Sequence, residues 1–201
     1  MNASTPGADA ILLLTVAMSL AGLYLKPKLI EASLFRPYYL LRDKQYHTVV
    51  SSGLVHGSIM HLLFNMLTFY FFGPPLERVI GTVRFVVLYL ISLVLSEART
   101  YLQQRDNPRY AALGASGAVS AVLFAAIVYF PAQSLFILPI PIPIPAPIFA
   151  VGYLAYAWYL SRHGNDGINH TAHIDGAITG LLFVAVTDGD AYRRLFALIG
   201  R

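Results

Sequence analysis

Cysteine is absent from this 201-residue chain, which excludes a disulfide framework and a thiolate metal site. Charge is scarce as well. Only 12% of the residues are Asp, Glu, Lys or Arg, while 57% are hydrophobic. Soluble domains carry about 25% charged residues, so this chain has too little polar surface to cover a water-soluble body. The class is a membrane protein, and the length suits one compact helical domain over residues 1–201. The net charge of +4 is modest and no basic tail is present, which argues against nucleic acid as a partner. Before the first apolar segment only Asp9 is charged. There is no positive n-region and no small-residue cleavage site, so the segment reads as a retained span rather than a signal peptide. With no appended targeting segment in view, a bacterial plasma membrane is the expected location.

What the chain does have is apolar runs. A span needs roughly 17–25 apolar residues, and six stretches come close: residues 10–25, 56–72, 83–100, 116–130, 146–160 and 168–186. The third is weakest, since Arg84 and Glu97 bracket its centre. Lys26-Pro27-Lys28 closes the first, Gly73-Pro74-Pro75 the second and Pro131 the fourth. An all-α membrane bundle of six transmembrane helices is the expected fold. The long connection from Lys26 to Val55 is rich in Tyr and mixed charge, which suits the headgroup level. Residues 139–147 alternate Pro with Ile and Ala and are expected to form an extended connector. If both termini share a side, nine Lys or Arg fall in the odd-numbered connections and five elsewhere. Charge alone then puts the odd connections in the cytoplasm.

Polar groups inside a span are costly, so they are functional candidates. Gly114-Ala115-Ser116-Gly117 opens the fourth stretch. Ser116 stands at a helix N-terminus, where free N–H groups and the helix dipole favour negative charge. A helix-packing face is the competing reading, because Gly117, Ala121 and Ala125 recur every four residues. The hydrolase elbow G-x-S-x-G is not matched, since Ala118 replaces its last Gly. In the sixth stretch His173, Gly176 and Gly180 share one helix face. The glycines permit a close helix neighbour, and a neutral His173 there can take a serine proton; a histidine hydrogen-bonded only for packing is the alternative. Asp175, two residues on, lies about 200° around the helix and should not orient His173, which favours a dyad over a triad.

The second stretch carries His56, His61 and Asn65. His61 and Asn65 share a face at i, i+4 and could stabilise an oxyanion with the Ser116 N–H, or serve as polar glue between helices. A zinc site is the third reading. No H-E-x-x-H is present, and a helical spacing of five would put His56 and His61 on divergent faces. Alternating spans bring the second, fourth and sixth into one direction, so all three clusters fall on the same membrane side at similar depth.

Gly-x-Ser-Gly opening one span, His with its following glycines in the last, and His-x4-His-x3-Asn in the second together resemble the rhomboid family of intramembrane serine proteases. The resemblance covers about Ala10 to Asp188, with the long first loop and Glu77-Arg78. It implies Ser116 as nucleophile and His173 as general base. His61, Asn65 and the Ser116 amide would form the oxyanion hole, with His56 supporting it and Gly114, Gly117, Gly176 and Gly180 shaping the site. It also implies transmembrane protein substrates cut near small residues, a hydrophilic cavity open to one face, and neither cofactor nor metal. It further implies a membrane orientation opposite to the one the charge count gives. Two positions depart from the family pattern. Ser120 stands where many members carry an aromatic packed on the catalytic His, and Tyr46-His47 is the nearest match to the Trp-Arg pair of the first loop.

Overall fold

The computed structural model describes residues 4–137, 140–164 and 166–199. Helix α1 (Pro6–Leu20) opens with proline, whose missing N–H costs nothing at a helix start, and runs on as a π-helical turn, Ala21–Leu25. It begins earlier than Ala10, where the apolar run starts. The reason is tertiary: the buried Glu77 carboxylate accepts from the Gly7 and Ala8 N–H groups at 3.0 and 2.7 Å and so caps the helix from 70 residues away. The first loop folds into short helices α2 (Pro27–Ser33), α3 (Pro37–Arg42) and α4 (Thr48–Ser51), followed by a 3-10 turn, Ser52–Leu54.

Helix α5 spans Ile59–Ile80, and here the expected boundary at Gly73-Pro74-Pro75 is corrected. The prolines sit inside the helix. Each removes an i→i−4 bond, but such losses are tolerated where neighbouring helices support the segment. Phe69, Gly73, Leu76 and Glu77 are all buried there, Phe69 packing on Phe85 of the next helix. The stop comes at Gly81, whose φ of 81° only glycine adopts readily.

Helices α6 (Thr82–Leu95) and α7 (Ala98–Gln104) follow. Helix α8 (Ser116–Tyr129) is the centre of the molecule: every residue from Gly117 to Tyr129 is buried. A helix apolar all round belongs in such a position. Helices α5, α6 and α10 (His170–Thr187) pack against it. Between α8 and α9 (Ala146–His163) the expected connector is extended over Ile140–Pro145, which forms strand β2 of an antiparallel hairpin with β1 (Ser134–Ile137), while Ala146 and Pro147 already belong to α9 and Pro139 lies outside the described residues. Extended backbone in an apolar setting must find hydrogen-bond partners, and each strand supplies the other. Helix α9 is peripheral, burying only Ala146 and Ala157 and exposing Tyr156, Trp158 and Tyr159. Helix α11 (Asp190–Ile199) closes the chain, tied back by the Tyr192 hydroxyl donating to the Leu181 carbonyl at 2.7 Å.

The architecture is a helical membrane bundle. Among the described residues three helical segments, Pro6–Leu25, Ile59–Ile80 and Thr82–Gln104, are long and apolar enough to cross a membrane by length and composition.

Candidate active site

The site is built where the starts of α5, α8 and α10 come together. Ser116 is the first residue of α8. Gly114, at φ 115°, turns the chain into that helix. A side chain at Gly114 would also collide with His61, its Cβ lying 2.4 Å from the imidazole. The turn before α8 is held from three sides. Gly114 N–H donates to the Ser52 carbonyl at 2.8 Å, and Phe35 and Ala112 exchange backbone bonds of 2.9 and 3.0 Å. The Ala115 N–H donates to His56 Nε2 at 3.3 Å.

That last bond fixes the His56 tautomer. An Nε2 that accepts carries no proton, so in the neutral ring the proton sits on Nδ1, facing Ser19 Oγ at 3.0 Å. Ser19 in turn donates to the Leu54 carbonyl at 3.4 Å. His56 is wholly buried and both of its nitrogens are engaged, leaving no lone pair for a metal. The expectation that His56 and His61 diverge is corrected: their rings meet edge to face, centroids 4.8 Å apart. His56 lies in the turn ahead of α5 rather than on the helix, so helical spacing does not apply to it.

His61 and Asn65 do share a face of α5. Ser58 caps the helix by accepting from the His61 N–H at 3.2 Å, and one Asn65 Nδ2 proton goes to the His61 carbonyl at 2.9 Å. The second Nδ2 proton remains for another acceptor.

His173 lies in the first turn of α10. Asn169 caps that helix, its Oδ1 accepting from the Ala172 N–H at 3.1 Å, while its Nδ2 donates to Glu97 Oε2 at 3.2 Å and Thr100 Oγ1 at 3.0 Å. The cap thus pins the start of α10 to the α6–α7 joint. The His173 ring is flanked twice. Tyr153 of α9 lies parallel to it, centroids 6.5 Å apart and planes 16° off. His170 approaches edge-on at 5.6 Å and is bonded through Nε2 to Asp166 Oδ2 at 2.9 Å. That contact holds the exposed Asp166 carboxyl below the usual carboxylate range, the His170 bond being the main cause. Asp175 takes no part here: it points to Arg99, whose Nε donates to Oδ2 at 3.2 Å and whose second nitrogen also bonds it.

Helices α8 and α10 approach to backbone contact. A Cβ on Gly176 would fall 2.0 Å from the Gly117 carbonyl oxygen, and one on Gly180 would fall 2.2 Å from that of Ala121. The small-residue face is therefore real, and it exists alongside Ser116 and His173 rather than instead of them. Ser116, His173 and Asn65 line one cavity of about 790 Å³, with Phe64, Phe71 and Phe149 among its apolar walls. The cavity runs between α5 and α9 down to Gln133–Phe136 beside the hairpin. His61 is held against Gly114 outside that lining.

Three residues of the site were not singled out from the sequence. Ser19 and Asn169 act through hydrogen bonds to distant partners. Asn169 carried the visible signal of an N-cap residue just before an apolar helix. Tyr153 carried none.

Fold and site together define a helical membrane protein whose cavity is lined by a helix-start serine, a histidine and an asparagine. The Rhomboid domain family model matches residues 43–188, and this chain belongs to the rhomboid family. It is similar to Rhomboid protease GlpG of Haemophilus influenzae, 31% identical over 149 residues, covering 73% of this chain and 72% of that one. It is similar also to Putative rhomboid protease YdcA of Bacillus subtilis, 29% identical over 140 residues with 69% and 65% covered. A third relative is RHOMBOID-like protein 12, mitochondrial, of Arabidopsis thaliana, 30% identical over 154 residues; the match covers 68% of this chain but only 45% of that protein.

Proposed function

We propose that this chain is an intramembrane serine endopeptidase that cleaves transmembrane proteins with a Ser116–His173 dyad. One observation carries the reading: a serine at a helix N-terminus and a histidine on the adjoining helix line the same cavity, inside a bundle of the rhomboid family. Neutral His173 takes the Ser116 Oγ proton as the oxygen attacks the scissile carbonyl, and returns it to the leaving amine. The oxyanion that forms is met by the Ser116 N–H and the second Asn65 Nδ2 proton; His61, which lies against Gly114 outside the cavity lining, is the third donor that the family resemblance implies. Water then hydrolyses the acyl-enzyme by the same path in reverse. The pairing of Asp175 with Arg99 supports a dyad over a triad, since it directs the carboxylate away from the imidazole. The six longest helical segments are the spans in this reading, all within a single domain. Two relatives matched over 72% and 65% of their own length are bacterial, which is the support for a bacterial inner membrane. The bilayer and transmembrane clients are the partners.

The alternative is a catalytically silent rhomboid-like protein that binds membrane clients. Purified protein labelled with a serine-directed fluorophosphonate separates the two. Labelling that disappears in Ser116→Ala and in His173→Ala, with cleavage of a model transmembrane substrate lost in parallel, is expected. An unlabelled wild type, or undiminished cleavage by Ser116→Ala, would refute the protease.

A further inference from the structure

We propose that Asn169 is a positioning residue for the catalytic base: by bridging the first turn of α10 to Glu97 and Thr100, it fixes where His173 stands relative to Ser116. This rests on the protease reading above.

Asn169 grips α10 beside the base. Its Oδ1 accepts from the N–H of Ala172, the residue before His173, at 3.1 Å. Its backbone carbonyl accepts from the His173 N–H itself at 3.4 Å. A cap needs only an acceptor, and Ser, Thr or Asp would serve the helix as well. Asn alone among them carries an amide NH2 beside that acceptor. Here Nδ2 reaches across to Glu97 Oε2 at 3.2 Å and to the buried Thr100 Oγ1 at 3.0 Å. Glu97 is half-buried, and among the described residues no cation pairs with it; Arg99, two residues on, is engaged by Asp175. A carboxylate so placed depends on hydrogen-bond donors, and Asn169 supplies one. Glu97 accepts and the Ala172 N–H donates, so the amide has one orientation.

The same joint also carries the nucleophile's turn. Ser96, buried and adjacent to Glu97 in the chain, packs on Gly117, the residue after Ser116: a Cβ at Gly117 would lie 2.6 Å from Ser96 Cβ and 3.3 Å from the Ala172 carbonyl oxygen. Two consecutive residues between α6 and α7 therefore register both helix starts. Ser96 seats the turn of α8 that bears Ser116, and Glu97, through the Asn169 amide, seats the turn of α10 that bears His173. The separation of nucleophile and base is thus referred to one short piece of backbone, in addition to the α8–α10 contact at Gly176. Asn169 touches neither substrate nor the reacting atoms, and it acts through His173.

The test separates capping from bridging. Asn169→Ser keeps the cap and drops the bridge. Asn169→Asp keeps the cap but sets a carboxylate against Glu97. The double variant Asn169→Asp/Glu97→Gln exchanges donor and acceptor and rebuilds the bridge. Each is read by kcat and KM on a transmembrane substrate, by the rate of fluorophosphonate labelling, and by Tm. Asn169→Asp should lower kcat and the labelling rate by roughly 10- to 100-fold, as displacement of a catalytic group by up to an ångström does, with KM little changed. Asn169→Ser should lose less in the same two quantities, at a Tm close to wild type because its cap survives. The double variant should recover labelling well above Asn169→Asp. Wild-type kcat and labelling in Asn169→Ser and Asn169→Asp would overturn the proposal. So would a double variant no faster than Asn169→Asp, or a loss in Asn169→Ser that only follows a fall in Tm. An unlabelled wild type would bring down the protease reading and this inference with it, whereas an active wild type beside unaffected Asn169 variants sinks the inference alone.

Discussion

The contact between α8 and α10 offers the sharpest test, through Gly176→Ala. The new Cβ would lie 2.0 Å from the Gly117 carbonyl oxygen, 2.7 Å from its carbon and 3.1 Å from its Cα. All three are backbone atoms, so no side chain can swing aside. Ordinary contact begins near 3.4 Å, and the helices must part by roughly 1–1.5 Å or strain by an equivalent amount, which costs about 1–3 kcal/mol as overpacking does. Gly117 adjoins Ser116 and Gly176 lies one turn beyond His173, so the separation falls on the nucleophile–base distance. A misplacement of about 1 Å costs about 100-fold in rate. Even 3 kcal/mol taken from a stability of about 5–15 kcal/mol leaves the protein almost wholly folded. Loss of folded protein therefore cannot produce a loss of that size. Cleavage by purified Gly176→Ala should fall about 100-fold while Tm drops by about 2–12 °C. Gly180→Ala, which meets the Ala121 carbonyl at 2.2 Å one turn further from the dyad, should cost similar stability but less activity. Gly152→Ala meets nothing within 4 Å and serves as the control. Wild-type cleavage by Gly176→Ala would mean that the α8–α10 contact does not set the catalytic distance.

Asp175→Asn should leave cleavage within about twofold of wild type, since the carboxylate serves a half-exposed Arg99 and such pairs contribute about 0–1 kcal/mol; a large loss with an unchanged Tm would restore a triad. Glu77→Leu should lower stability by about 2–4 kcal/mol, because it strands the Gly7 and Ala8 N–H groups and the Thr82 hydroxyl that donates at 2.7 Å; unfolding in detergent measures it, and an unchanged midpoint would refute the capping role. His170 lowers the Asp166 pKa from 3.8, so this pair favours the folded state above the unfolded value and loses that contribution as pH falls through the lower, folded one. Asp166→Asn should therefore weaken the decline of Tm in that acid window and leave Tm at neutral pH nearly flat; a steeper acid decline in the variant would reverse the sign of the argument.

Local pattern revealed the parts of the fold that local physics decides. Ser116 opens α8 in the structure as it does in the apolar pattern, because Gly114 supplies the turn and the residues beyond it are apolar on every side. The clustering of Ser116, His173 and Asn65 followed from counting alternations of direction. What escaped the pattern depends on partners far along the chain. Helix α1 starts at Pro6 because Glu77 caps it, and α5 survives two prolines because α6 packs on it. The residue beside His173 sits on α9, and which side chain of a neighbouring helix reaches a given ring depends on lateral placement that periodicity does not carry. Ser120 was visible as a gap; its filler was not.

The hairpin beside the cavity has a one-sided chemistry. Ala146 donates its N–H to the Gln133 carbonyl, which sets the alternation along β2: the nitrogens of Pro145 and Pro143, paired with Ser134 and Phe136, face away from β1. Those outward positions bear no hydrogen. The outer edge of β2 can accept hydrogen bonds there but donate none, so it offers an unwound peptide no ladder to join.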